Sequence, residues 1–300
     1  MNEKKLKCGY VALIGRPNAG KSTLLNYLVG EKIAAVSDKP QTTRHKIKGI
    51  VTIPDKGQII FVDTPGIHKP GYLLNRRMMT AVQDAILSVD LIVLIRDASV
   101  STGNGDRFTL NLVKQSQKPS ILVLNKVDKL KKKASLLPLI EFYAKEHDFK
   151  EIIPISALKG FQVDILLNKV IEYLPEGEPI FDADELTDQP LRVLVAEIVR
   201  EKVLQMTKDE LPYVTAVIID RFDDSEEKLV KIYCAIIVEK ESQKRIVIGK
   251  NGRKIKEIGT AARLEIERLL GKHVYLELFV KVVENWRNLG YKLDEIGITR

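Results

Sequence analysis

Short β-branched runs alternate with longer, mixed stretches through the first 175 residues. The runs at 10–14, 47–53, 59–62, 91–95, 121–124 and 152–155 are predicted strands. All but one neighbouring pair are separated by enough chain for a helix; the exception is joined by Pro54-Asp55-Lys56-Gly57, whose composition suits a hairpin turn. Strand and helix in alternation predict an α/β unit, a six-stranded, mostly parallel sheet with helices on both faces.

The alternation stops at Pro175-Glu176-Gly177-Glu178-Pro179, which opens a segment that is acidic through Asp188 and closes at Pro190. This predicts a first domain over 1–175, a linker over 176–190 and a second domain over 191–300. In the second, Leu191, Leu194, Val195 and Ile198 form a helical stripe, and 213–219 and 229–238 are predicted strands around the polar turn Asp223-Asp224-Ser225-Glu226. A short helix near 243–248, a glycine loop, a long helix with Ile255, Ile258, Ala262, Ile266 and Leu269 on one face, and a strand over 273–282 complete an α+β module.

Length agrees with a division into about two domains. The formal charge of +8 favours a polyanionic partner without locating it. Residues 1–175 hold 27 Lys and Arg against 16 Asp and Glu, whereas 191–300 hold 21 against 18, so local clustering has to decide. Two cysteines, Cys8 and Cys234, are too few for a disulfide framework and suit a reducing cytosol. The apolar run after Lys7 is too short for a signal peptide, and no stretch reaches the roughly 18 apolar residues of a membrane span. The expectation is a soluble cytoplasmic protein, with room left for peripheral contact at the inner face of the cell membrane.

The first chemistry lies directly after the first strand. Gly15-Arg16-Pro17-Asn18-Ala19-Gly20-Lys21-Ser22 fits the phosphate-cradling pattern in which glycines let successive N–H groups converge on phosphate oxygens at a helix start. Lys21 would reach the β and γ phosphates and Ser22 would ligate Mg²⁺, with Thr23 beside it as a further nucleotide contact. Asp63-Thr64-Pro65-Gly66 ends the third run, where Asp63 can hold the metal through water and the Gly66 N–H can sense the γ-phosphate. Asn125-Lys126-Val127-Asp128 ends the fifth and offers a carboxylate to the two N–H donors of guanine, which adenine lacks. Ser156-Ala157-Leu158 suits a backbone contact to the guanine carbonyl, and Gln41-Thr42-Thr43-Arg44 can supply a switch threonine, with Thr43 preferred and Thr42 close behind. Each motif alone is more often a plain turn. Four at strand ends in one order are not.

The second chemistry is Ile248-Gly249-Lys250-Asn251-Gly252, a four-residue clamp for a single-stranded nucleic acid backbone. Lys244, Arg245, Lys250, Arg253, Lys254 and Lys256 surround it with no acid between 243 and 256, whereas a solvated helix face would usually mix signs. Lys131-Lys132-Lys133 reads instead as a solvated helix start, and His45, His68, His147 and His273 lack metal-ligand spacing. Trp286 is expected to pack the last strand against the chain's end.

On these residues the first 175 positions resemble the translation-factor-related GTPases, and the whole chain resembles the bacterial Era family. The likeness lies in the loop at 15–22, Gln-Thr-Thr-Arg-His at 41–45, Asp-Thr-Pro-Gly-Ile-His at 63–68, Asn-Lys-Val-Asp at 125–128 and the glycine loop at 248–252. It implies an α/β P-loop GTPase domain followed by a type II KH domain. It also implies a monomer that binds GTP or GDP with Mg²⁺ and grips the 3′ region of small-subunit ribosomal RNA during small-subunit assembly. An Asn in such a loop, here Asn18, ligates K⁺ beside the phosphates in similar GTPases; tolerance of the loop's backbone angles explains it equally well. Lys21, Thr43, Gly66 and Asn18 are the catalytic candidates. Ile67 replaces the Gln that orients the attacking water in many switch GTPases, so slow intrinsic hydrolysis is expected. An RNA-binding scaffold with GTP as a structural ligand is the alternative. One departure is Arg96, a charge where a buried strand end is usually apolar.

Overall fold

Alternate side chains of the first apolar run enter opposite layers, Val11 and Leu13 one core, Ala12 and Ile14 another. A strand buried on both faces has no polar side, which is why these runs are apolar throughout. The computed structural model describes residues 5–39, 41–66, 71–207 and 211–299. By their internal contacts they form two units, one of Met1–Ala34, Thr43–His68 and Met78–Asp188, the other of Ala35–Thr42, Lys69–Arg77 and Gln189–Arg300.

The first part of the chain runs β1 (Lys7–Gly15), α1 (Lys21–Val29), β2 (Ile47–Ile53), β3 (Gly57–Asp63), α2 (Leu73–Ser88), β4 (Leu91–Asp97), α3 (Asn104–Ser116), β5 (Ser120–Asn125), α4 (Leu136–Glu146), β6 (Glu151–Pro154) and α5 (Val163–Tyr173). The six strands make one sheet in the order β2-β3-β1-β4-β5-β6. Only β2, in its hairpin with β3, is antiparallel. Leu24, Leu25, Leu166 and Val170 from α1 and α5 fill one layer; Val82, Ile86, Leu110, Val113 and Tyr143 from α2, α3 and α4 fill the other. The predicted fold class is the observed one.

As an edge strand, β2 leaves backbone groups to be satisfied, and the acidic segment after Pro175 meets them. Ile50 N–H donates to Leu186 O at 2.9 Å, Thr187 Oγ1 to Lys48 O at 2.6 Å, and Lys48 pairs with Asp188. The buried Gln58 amide accepts the N–H groups of Ile180 and Phe181 at 2.9 and 3.0 Å. Through Asp188 this segment therefore belongs to the first unit.

Arg96 is 2% exposed and its Nε lies 3.3 Å from Asp106 Oδ1, so the strand end carries a buried ion pair. Burying a charge is tolerable only when it is paired and bonded. Arg96 Nη2 also donates to Val100 O at 2.9 Å.

The second part comprises α6 (Leu191–Met206), α7 (Leu211–Val214), β7 (Ala216–Asp223), β8 (Leu229–Val238), α8 (Glu241–Ile248), α9 (Arg253–Leu270), β9 (His273–Val282) and α10 (Gly290–Glu295). Its sheet runs β7-β8-β9, with β7 antiparallel and β9 parallel to β8. Val195, Val199, Ile232, Ile236, Ile258, Ala262 and Ile266 form its core. Two expectations change. Residues 213 and 214 close a helical turn rather than opening the strand, because Pro212 suits a first turn and cannot donate to a ladder. The strand then continues to Asp223 through a register shift between Ile219 and Arg221. Trp286 is buried, but its Nε1 donates to Val214 O at 2.8 Å, so it seals α7.

The two segments drawn into the second unit are held by side chains of that unit. Arg200 of α6 donates to the carbonyls of Gln41 and Thr42, and Glu201 accepts Val36 N–H at 3.1 Å. Arg77 donates to Asp294 Oδ1 and Ile298 O, both at 2.6 Å, and Arg287 lies over the Tyr72 ring at 3.6 Å.

Candidate functional site

The loop between β1 and α1 turns through two left-handed residues, Asn18 at φ 62° and Gly20 at φ 99°. A Cβ at position 20 would come within 2.2 Å of Asn125 Nδ2, so glycine is required there by backbone angle and by space. Gly20 caps α1 without any side-chain bond, and the first turn carries no acidic residue. The N–H groups of Lys21, Ser22 and Thr23 thus end a helix at its positive pole, where an anion binds best.

Lys21 is 5% exposed, and its Nζ donates to Gly15 O and Arg16 O, both at 3.2 Å. Burial lowers its pKa, opposed by the charge of Asp63. Asp63 is fully buried; burial raises its pKa, opposed by Lys21, by the hydroxyls of Ser22 and Thr43 and by the Thr64 N–H. Ser22 Oγ donates to Asp63 Oδ2 at 2.7 Å and lies 2.7 Å from Thr43 Oγ1, which is 3.4 Å from the same carboxylate oxygen. Three oxygen-bearing side chains therefore meet beside the helix start. Asp63 Oδ1 is buried with no hydrogen-bond partner among the described residues, an unmet acceptor that a hard cation would satisfy. Thr42 is turned elsewhere, its hydroxyl donating to Lys39 O at 2.6 Å. Gly66 lies over Pro17. Ile67, expected to leave the attacking water unoriented, lies outside the described residues, as does His68.

The Asn125-Lys126-Val127-Asp128 motif is built around Asn125, which is 2% exposed. Its Nδ2 donates to Ala19 O at 2.8 Å, and its Oδ1 accepts the N–H groups of Lys126 at 2.8 Å and Ala157 at 3.0 Å. One amide thus ties together the phosphate loop, its own turn and the 156–158 loop. Ser156 Oγ donates to Asp128 Oδ1 at 2.6 Å. Gly20, Thr23, Asn125, Lys126, Asp128, Ala157 and Leu158 line one cleft. A partner missed in the sequence is Asp97, whose Oδ2 lies 2.6 Å from Lys126 Nζ while that ammonium also reaches Asn18 O at 2.5 Å. Partial burial opposes ionisation of Asp97, but Lys126 and Ser99 hold its pKa below the usual range. Its place at the end of β4, in register with Asn125, was the available signal.

In the second unit Gly249 at φ 70°, Asn251 at φ 54° and Gly252 at φ 72° bend the chain between α8 and α9. Left-handed turns of this kind leave a main chain that phosphates can approach closely. Ile248 and Ile255 pack on the core and hold the loop in place. Lys254 pairs with Glu257 at 3.2 Å, just beyond the acid-free stretch. Among the described residues Lys244, Arg245, Lys250, Arg253 and Lys256 have no ion-pair partner.

A profile described as a 50S ribosome-binding GTPase matches residues 10–126, and a KH domain profile matches 210–287. A protein named GTPase Era from Trichlorobacter lovleyi is 48% identical over 297 residues, 99% of each chain. GTPase Era from Clostridioides difficile is 48% identical over 292 residues, 97% of this chain and 98% of that one. Aquifex aeolicus Era bound to GDP·AlF4⁻ superimposes with a TM-score of 0.94 at 44% identity, covering 98% of this chain and 100% of that one. An Era structure with MgGDPNP and nucleotides 1506–1542 of 16S ribosomal RNA gives a TM-score of 0.95 at 44% identity and the same coverage.

Proposed function

The chain belongs to the Era family of GTPases, with a KH domain in its second half, and from that premise we propose that it grips the 3′ region of small-subunit ribosomal RNA and acts in assembly of the small subunit. Five cations with no ion-pair partner among the described residues, around a loop of left-handed residues, carry the RNA reading. The Era relative solved with nucleotides 1506–1542 of 16S ribosomal RNA indicates which RNA to test.

In the proposed site the GTP phosphates take the N–H groups of 19–23, and Lys21 leaves its carbonyl contacts to neutralise charge that builds on the β–γ bridge and γ oxygens as water attacks. Ser22, Thr43 and Asp63 would hold Mg²⁺, which when bound supplies charge neutralisation across the phosphates. The Gly66 N–H meets the γ-phosphate. Asp128 accepts the guanine N–H pair, and Asn125, braced by Lys126, keeps the base cleft and the phosphate loop in one frame. With Ile67 unable to orient water, intrinsic turnover is slow. We extend the reading to K⁺ at Asn18 on the loop pattern of similar GTPases, and to a cytoplasmic monomer that touches the membrane only peripherally; no described helix is long and apolar enough to cross one.

Steady-state phosphate release with and without the RNA tests the turnover. The proposal expects slow hydrolysis that depends on Lys21. Release no faster than from buffer under both conditions would instead leave an RNA-binding scaffold that uses GTP as a structural ligand.

A further inference from the structure

Arg16 opens the phosphate loop, yet its side chain turns away from the phosphate position and lies across the start of α3. Its Nη1 is 2.8 Å from Asp106 Oδ2, and Asp106 is 3% exposed. The same carboxylate oxygen accepts Gly103 N–H at 2.8 Å, while Oδ1 faces the buried Arg96. A cation beside a helix N-terminus is unfavourable by itself, so the Asp106 carboxylate is what makes this placement stable.

Gly105 records the fit. A Cβ there would fall 2.9 Å from Arg16 Nε, 3.1 Å from Cδ and 3.3 Å from Cγ, and no backbone atom is among its nearest neighbours. Its φ is not positive. Within the helix, then, the glycine leaves room for the Arg16 side chain and is not required by the chain's own conformation.

The tethered peptide matters because of what its backbone does. Arg16 O receives Lys21 Nζ and the Ala19 N–H, both at 3.2 Å. The next residue, Pro17, lies under Gly66, where an added Cβ would come within 3.0 Å of the proline ring. The Arg16–Pro17 half of the loop thus faces Lys21 and Gly66, whereas the Ala19–Gly20 half faces Asn125 and the base cleft.

We propose that Arg16 is a positioning residue, held by Asp106 in the space that Gly105 leaves open, which fixes the half of the loop that faces Gly66, so that its loss weakens binding of a GTP analogue more than binding of GDP. This rests on the GTPase reading of the site, and GDP binding by the parent protein checks that reading separately.

The test compares full-length Arg16→Ala and Gly105→Ala with the parent by titration with GDP and with a non-hydrolysable GTP analogue, together with thermal unfolding. Both variants should bind the GTP analogue about tenfold more weakly, the loss expected when one charge-assisted hydrogen bond no longer fixes a phosphate-facing turn. GDP affinity should fall clearly less, by about threefold at most, since the Ala19–Gly20 half of the loop and its contact to Asn125 are untouched. The Tm of Gly105→Ala should fall no further than that of Arg16→Ala, because the added Cβ displaces only the side chain that Arg16→Ala removes and Ala is the better helix former. Equal losses of GTP analogue and GDP, or no loss of either in Gly105→Ala, would overturn the proposal. A larger fall in Tm in Gly105→Ala than in Arg16→Ala would refute the claim that its Cβ meets only a movable side chain.

Discussion

Replacing Asp128 by Asn probes base selection, and the structure dictates how the amide turns. In the parent, Ser156 Oγ donates to Asp128 Oδ1 at 2.6 Å. An Asn keeps that acceptor toward Ser156 and so presents its NH₂ to the base, where guanine also offers donors. One charge-assisted bond is lost and a second becomes a clash of donors, together about 3 kcal/mol, or roughly 150-fold in affinity. Xanthine carries a carbonyl in place of the guanine amino group and can accept from the new NH₂. Titration calorimetry with GDP and XDP, with circular dichroism to verify folding, should show GDP weakened by about that factor and XDP bound better than by the parent. Adding Ser156→Ala frees the amide to flip and should reduce the xanthine preference. A variant that binds GDP like the parent would remove Asp128 from the base site.

Thr43→Ala should weaken Mg²⁺-dependent binding of a GTP analogue about tenfold or more, whereas Thr42→Ala, whose hydroxyl serves Lys39 O, should stay within about threefold; the reverse order would exchange the two threonines. Hydrolysis should run faster in K⁺ than in Na⁺ at matched ionic strength, and Asn18→Ala should erase the difference; equal rates in the parent would end the K⁺ reading. Burial pushes the Cys234 thiol up to about 12 and also raises Cys8. At pH 8 the Cys234 thiolate is then on the order of one in ten thousand molecules, and iodoacetamide should leave the native protein unlabelled at that position. Its rapid alkylation without unfolding would contradict the burial of β8.

The six strands and the four nucleotide motifs were legible because a strand buried on both faces is an uninterrupted apolar run, and because phosphate and guanine chemistry needs fixed residue types at strand ends. The contacts that brace those motifs were less legible. Asp97 and Asp106 serve Lys126 and Arg16 across long sequence separations, and a lone Asp at a strand end or helix start reads as a cap. Arg96 looked out of place because its partner, Asp106, lies one helix start away in space. At 211–214 Pro212 outweighed the β-branched propensity of the residues after it, and the polar run after β9 hid α10, which has no long apolar stripe. Arg200 gave no signal either, since its partners are the main-chain carbonyls of Gln41 and Thr42, which no sequence pattern marks.

A single titration decides whether the loop at 249–252 grips RNA. Labelled single-stranded RNA copying the 3′ end of small-subunit ribosomal RNA is titrated into the parent and into a variant carrying Lys250→Asp and Asn251→Asp, at several salt concentrations. Both residues are exposed, and neither belongs to the buried face of Ile258, Ala262 and Ile266, so the fold should survive. The parent should lose affinity with a log–log slope of about −0.7 for each phosphate it neutralises. The variant should lose both the affinity and the slope while binding GTP as before. A variant that binds the RNA with the parent's affinity and slope would make the loop at 249–252 a plain helix-to-helix turn and contradict the account.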